Sequence, residues 1–311
     1  MGGMSLPPHP WPTGAAEQLE PLVRRVLATN PSPYTFTGTQ TYLVGDGDGV
    51  VVIDPGPADA AHLDALVAAI GGAPVLAIAC THTHRDHSPA AAPLAARTGA
   101  PVIGCAPLVI EGDGPRLDDS FDASYAPDAV LADGEVIAGP GFALRAVATP
   151  GHTSNHLCYA LEVTGEVAGE VAGAANGALF TGDHVMGWST SVVAPPDGNM
   201  SDYLISLDRL HGREDRVYYP AHGPQIDNPR QFVRSMIGHR RQRERQILTH
   251  LADGGASVQD LVGRMYKGLA PALMGAAGLS VLAHLIDLEA RALAWRQGDR
   301  WAATGPGGDK A

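Results

Sequence analysis

Apolar residues along this chain gather in short runs bounded by glycine, proline and acidic residues, and such runs read as strands. Tyr42-Leu43-Val44 and Val50-Val51-Val52-Ile53 flank Gly45-Asp46-Gly47-Asp48-Gly49, which predicts a hairpin. Pro74 to Cys80, Phe142 to Ala148, Leu157 to Leu161, Gly177 to Phe180 and Val217 to Tyr219 are further strands. Helical spacing appears at His62 to Ile70, stopped by Gly71-Gly72, and at Tyr203 to Leu210. A short helix is expected near residues 16–28, inside a proline-rich start, and Ser88-Pro89 reads as an N-cap followed by proline at the first helical position. The stretch Thr164 to Gly177 is glycine and alanine rich and reads as a loop.

After Pro229 the period changes. Phe232 to Leu251 is long and helical, Ser257 to Tyr266 is a helix opened by a serine cap, and Leu279 to Leu293 is a third. Residues 293–302 then predict a small hairpin carrying Trp295 and Trp301, which read as a small core rather than a stacking platform. Three helices and a hairpin resemble a winged helix.

At 311 residues the chain has room for one large domain and a smaller one. Charge divides it the same way: residues 1–229 carry 9 Lys and Arg against 26 Asp and Glu, residues 230–300 carry 11 against 6. The basic excess includes Arg240, Arg241, Arg243 and Arg245, either a solvated helix face that caps the larger domain or a contact for RNA phosphates. Cys80, Cys105 and Cys158 are scattered through apolar runs, which predicts buried thiols rather than a disulfide framework. Met1 to Pro8 lacks the basic and apolar regions of a secretory leader, and no apolar stretch reads as membrane-length, so a cytoplasmic protein without a membrane partner is expected.

The densest chemistry lies between the strand ending at Cys80 and Ser88. Thr81-His82-Thr83-His84-Arg85-Asp86-His87 places three imidazoles and a carboxylate on one strand-to-helix loop. In extended backbone His82 and His84 point to the same side, while the turn brings Asp86 and His87 to a second point. Imidazole and carboxylate suit zinc, with iron or manganese as alternatives. The bland reading, histidines that only bond the backbone, fits poorly, because burying so many titratable groups without a cation is costly. Three more runs end in ligand types: His152 after Thr149-Pro150-Gly151, Asp183 in Thr181-Gly182-Asp183-His184, and His222 in Pro220-Ala221-His222-Gly223.

With these seven residues the sequence resembles the metallo-β-lactamase superfamily over residues 34–224. The resemblance implies an α/β protein with an αββα sandwich and metals at one edge. It implies two divalent ions, most simply zinc, one held by His82, His84 and His152, the other by Asp86, His87 and His222, with Asp183 between. A hydroxide shared by two cations would then act as nucleophile, because coordination lowers the pKa of water. Asp86 is the expected catalytic residue. Asp54, His156 and His184 are expected around the ligands rather than among them, Asp54 either as a turn cap or as a carboxylate orienting a metal-binding histidine. Asp183 stands where many true β-lactamases carry cysteine, and His84 where the flavo-diiron branch carries glutamate; persulfide dioxygenases remain open.

Gly182 to Trp188, Pro195-Pro196-Asp197-Gly198 and Ser280 to Leu285 resemble the β-lactamase-like protein 2 group, which adds a winged-helix-like C-terminal domain. The expected layout is an N-terminal extension at 1–33, a catalytic domain at 34–228, a winged-helix-like domain at 229–302 and a tail at 303–311. The expected activity is a metal-dependent hydrolase of a thioester, lactone or related ester, on a small molecule or an acyl carrier. The alternatives are an endoribonuclease cleaving single-stranded RNA and, from another class, a nucleic-acid-binding winged-helix protein with a vestigial metal site. Homo-oligomerisation stays open.

Overall fold

The computed structural model describes residues 11–109, 120–163 and 177–305, so most of the loop expected at Thr164 to Gly177 lies outside the described residues. The apolar runs form two sheets. The first holds seven strands in sequence order: β1 (Ala16–Glu20), β2 (Val23–Leu27), β3 (Gln40–Asp46), β4 (Gly49–Ile53), β5 (Val75–Cys80), β6 (Val102–Gly104) and β7 (Ala129–Val130). The second holds β8 (Val136–Gly139), β9 (Phe142–Ala148), β10 (Leu157–Val163), β11 (Ala178–Gly182) and β12 (Val217–Pro220), in the order β12-β11-β10-β9-β8. Helices α1 (Ala60–Ile70) and α2 (Ala91–Thr98) cover the first sheet, and α3 (Met200–His211) with α4 (Pro229–Ala252) covers the second. This is the αββα sandwich.

Strand alternation explains the layering. Along β10, Leu157, Tyr159 and Leu161 enter the core between the sheets, while Cys158 and Ala160 point to the core beneath α3 and α4. In β11, Phe180 faces inward and Leu179 outward; in β12, Tyr219 faces inward and Tyr218 outward. Sheets buried on both faces read as unbroken apolar runs, which is why these strands stood out. Each large side chain so buried contributes about 1.5–3 kcal/mol. All three cysteines are buried free thiols.

The remaining chain makes a separate core. Here α5 (Val258–Met265), α6 (Met274–Ala290) and the three strands β13 (Ala256–Ser257), β14 (Ala294–Gln297) and β15 (Arg300–Ala303) enclose Ile247, Leu261, Val281, Leu285 and Trp301. Trp301 is buried and Trp295 half-buried, in keeping with a small core. Ser257 caps α5 through a reciprocal bond pair with Asp260.

Four expectations are corrected. Residues 16–27 form β1 and β2, not a helix: Pro21 cannot sit inside a helix, and β2 pairs with β3 from Val23↔Val44 to Leu27↔Gln40. Ser88 is no N-cap; α2 starts at Ala91 behind Ala90, and Ser88 Oγ donates instead to Asp122 at 2.8 Å. Pro271–Ala290 does have the length and mean hydropathy, 1.5, of a membrane span, although α6 turns His284 and Asp287 to its buried side and packs on α5 and β14. The arginines expected to act together, Arg240, Arg241, Arg243 and Arg245, do not share one face of α4. Arg240 is buried, donates to the Ser191 carbonyl and lies 5.0 Å from the Tyr203 ring; Arg243 lies 4.5 Å from the Tyr266 ring; of these four, Arg241 and Arg245 are exposed.

Candidate metal centre

All seven predicted ligands meet at one edge of the sandwich, beyond the C-terminal ends of β5, β9, β11 and β12. Main-chain bonds between the sheets hold that edge: Leu157 N–H donates to Thr81 at 2.8 Å, and Gln40 N–H to Ala221 at 2.9 Å. Gly151 shapes the turn before His152. Its φ is 132°, and a Cβ there would stand 2.3 Å from the Tyr203 backbone nitrogen, so only glycine lets α3 approach so closely.

Ligand-type atoms of His82, His84, His152 and Asp183 form one group within 4.8 Å, and those of Asp86, His87 and His222 another. Asp183 faces both. Its Oδ2 is 4.0 Å from His82 Nε2 and 3.7 Å from His152 Nε2, while Oδ1 is 3.5 Å from His87 Nε2 and 3.2 Å from His222 Nε2. Asp86 Oδ2 lies 3.1 Å from His222 Nε2 and accepts from Thr39 Oγ1 at 2.9 Å.

The far nitrogens explain why these rings point inward. His152 Nδ1 donates to the Val192 carbonyl at 2.7 Å, His222 Nδ1 to the Gly38 carbonyl at 3.2 Å, and His87 Nδ1 to Asp54 at 3.0 Å. His82 Nδ1 donates at 2.9 Å to Thr81 Oγ1, whose own proton goes to Asp54 at 2.8 Å. Each of these rings thus has its outer nitrogen hydrogen-bonded and turns its inner nitrogen to the cluster, where a bound cation would take the place of a proton. His84 Nδ1 completes the first group, 2.9 Å from His82 Nε2 and 3.2 Å from His152 Nε2. Lone pairs face one another at about the 3.3 Å edge of a tetrahedron with metal–nitrogen bonds of 2.0–2.1 Å.

Electrostatics agree. Burial alone would raise the carboxyls of Asp86 and Asp183, yet for Asp86 the neighbouring His87 and for Asp183 the neighbouring His222 hold them well below the ordinary carboxylate range. Burial disfavours a charged His222, but Asp183 and Asp86 push it up to about 10. The carboxylates therefore demand positive charge at this spot. Burial, then the neighbouring His84, lowers His152 to about 4, which keeps it neutral and able to bind a cation. Asp183 Oδ1 and His87 Nε2 are buried without a hydrogen-bond partner. An all-nitrogen and oxygen donor set with paired outer nitrogens fits a divalent metal.

The surrounding residues sort themselves by contact. Asp54 is not merely a turn cap: from a left-handed backbone with φ 48° it accepts from Thr81 N–H, Thr81 Oγ1 and His87 Nδ1. His156 Nε2 accepts from Asp183 N–H at 3.3 Å and its Nδ1 donates to Thr149 Oγ1 at 2.9 Å, so it steadies the Asp183 backbone. His184 lies beside the ligands, as expected, but its side chain is not the hydrogen-bonding neighbour that its place next to Asp183 suggests. Its ring packs 4.6 Å from Tyr203 with both nitrogens buried and unpartnered, and burial lowers it to about 3; its hydrogen bonds are those of its backbone, N–H to the Thr181 carbonyl and carbonyl from Ser191 Oγ and Tyr203 OH. Thr39 and the Val192 and Gly38 carbonyls carry no sequence mark, whereas Thr81 stood inside the motif.

A cavity of about 580 Å³ opens over His84, Asp86, His152, Asp183 and His222. Apolar side chains make its walls: Tyr34, Phe121, Met186 and Val192 from the sandwich, and Ala276 and Leu279 from α6.

Residues 34–222 match the metallo-β-lactamase superfamily, and residues 257–301 the β-lactamase-associated winged helix domain. The chain belongs to the metallo-β-lactamase superfamily. This superfamily member is 32% identical over 249 residues to an atrochrysone carboxyl ACP thioesterase of Paecilomyces divaricatus, covering 79% of this chain and 68% of that one. It is 30% identical over 260 residues to another of the same description from Cryptosporiopsis sp. (strain 8999), covering 83% and 71%. In fold it is similar to a β-lactamase domain protein from Burkholderia ambifaria, with TM-score 0.74 and 21% identity over 96% of this chain and 95% of that one. The superfamily and these relatives make it an enzyme, a hydrolase.

Proposed function

We propose that the protein is a thioester hydrolase acting on acyl groups attached to a carrier, through a two-metal centre. One observation carries the chemistry: seven donors converge in one cluster, and five of them form the floor of a cavity whose walls are mostly apolar. Two relatives bear the name of acyl carrier protein thioesterases, which narrows the ester class. His82, His84 and His152 would hold one divalent ion, Asp86, His87 and His222 a second, with Asp183 shared; zinc suits these donors first. Bound, the ions supply hydroxide near neutral pH and a Lewis acid for the carbonyl oxygen.

The chain's own residues do the rest. Asp86, fixed by Thr39, faces the cavity floor and is placed to hold the proton of the attacking water. The apolar walls exclude competing water and orient the acyl group. Of the cluster Arg240, Arg241, Arg243 and Arg245, Arg240 is buried and Arg243 lies over the Tyr266 ring, so these four do not act together as a phosphate contact, and no relative named above supports the RNA reading.

The test is a panel of acyl thioester, lactone, phosphodiester and single-stranded RNA substrates on protein loaded with zinc, manganese or iron. Thioester turnover is expected to dominate, with about two metal equivalents per chain by elemental analysis. Asp86→Ala is expected to cost about 10²–10⁴ in turnover while the fold survives. Turnover confined to RNA, or less than one metal after reconstitution, would overturn the reading.

A further inference from the structure

The cavity is not built by the sandwich alone. Gly275, Ala276 and Leu279, in the first turns of α6, line it from the winged-helix side. Tyr34, on the turn before β3, reaches across, and its hydroxyl donates to the Ala272 carbonyl at 3.3 Å, just before α6. The metal-ligand face and the α6 face are therefore opposite parts of one pocket. Among the described lining residues the only acids are Asp86 and Asp183, and there are no Lys or Arg. Among the described residues, no charged side chain lines the pocket outside its floor.

Gly275 is the decisive position. A Cβ there would have no heavy atom within 4 Å, and its backbone is not in the left-handed region. Glycine is thus required neither by conformation nor by a close approach of the surrounding chain. Gly275 is exposed at the rim of the cavity, beside the exposed Tyr34, so a larger residue there would project over the cavity mouth.

We infer that Gly275, Ala276 and Leu279 form the wall that sets acyl-group size, and that the space at Gly275 admits a bulky apolar or aromatic acyl group lying against Tyr34 and Phe121. This rests on the thioesterase reading for the reaction, but not for the shape of the pocket. A cavity of about 580 Å³ is the size of a small-molecule site. It takes an acyl group and leaves any folded carrier outside.

The experiment uses the full-length, zinc-loaded protein and its Gly275→Leu variant. Hydrolysis of acetyl and 2-naphthoyl thioesters of N-acetylcysteamine is measured alongside binding of acetate and 2-naphthoate by calorimetry. The parent is expected to favour the naphthoyl group, and Gly275→Leu to lower the naphthoyl-to-acetyl ratio of kcat/KM by about tenfold or more. Naphthoate binding should weaken by a similar factor, with zinc content unchanged and Tm equal or higher, since leucine is the better helix former. Leu279→Ala should shift the ratio the other way. A parent that prefers acetyl, or a Gly275→Leu protein with the parent's ratio and naphthoate affinity, overturns the inference. If neither thioester is turned over, the thioesterase reading falls on its own, and naphthoate binding still decides the wall.

Discussion

A single carboxylate organises much of the centre without facing its interior. Asp54 accepts three bonds, two from Thr81 and one from His87 Nδ1, and through Thr81 Oγ1 it also fixes His82. Asp54→Asn should weaken metal binding by about 10–100-fold while leaving all seven donors in the sequence. Competition with a chelating dye reads this directly, and unchanged metal affinity would remove Asp54 from the argument. At this scale the sequence was very legible for atoms that bind and poorly legible for atoms that hold the binders. His82, His84, Asp86, His87, His152, Asp183 and His222 announce themselves by residue type and by their position after strands. The carbonyls of Gly38 and Val192 belong to residues whose side chains say nothing about them.

Among elements, local signals decided some boundaries and tertiary pairing decided others. The β3–β4 hairpin, α1 ending at Gly71 in a left-handed turn, and the Ser257 cap of α5 follow from their own sequences. Strands β1 and β2 do not, because Leu22, Val23, Val26 and Leu27 also suit a helix, and pairing with β3 settles the matter. Ser88 failed as a cap because the chain first makes a turn, Ala91 N–H donating to the Ser88 carbonyl at 2.8 Å, and α2 begins only at Ala91. The joint between β9 and α3 offers a measurable consequence. Gly151→Ala would drive a methyl into the Tyr203 backbone from a left-handed conformation, so it should destabilise the fold by about 2–3 kcal/mol in urea unfolding. It should also lower metal occupancy, since His152 is the next residue, and a variant as stable as the parent would show that the turn can relax.

For the whole molecule, the contact between the sandwich and the winged helix carries a pH signature. Burial, with Arg240, His239, Arg291 and Arg243 nearby, lowers His284 on α6 to about 3 from its ordinary 6.5. Above 6.5 both folded and unfolded chains leave it neutral and its contribution is fully present. As pH falls, the unfolded chain takes up a proton that the folded chain refuses, so stability drops by up to about 1.4 kcal/mol per pH unit. His284→Leu should therefore lose about 2 kcal/mol less than the parent between pH 7 and pH 5 in paired urea titrations, and parallel losses would refute the assignment. The pocket spans this same contact: its floor rests on the cores of the sandwich, its far wall on the separate core around Trp301. Regions with separate cores open with separate free energies. On warming, a loosening of the smaller core would release the α6 wall while the cluster of imidazoles and carboxylates stayed whole. Discrimination between acyl groups is then the more fragile property, lost at a lower temperature than the capacity to hydrolyse at all.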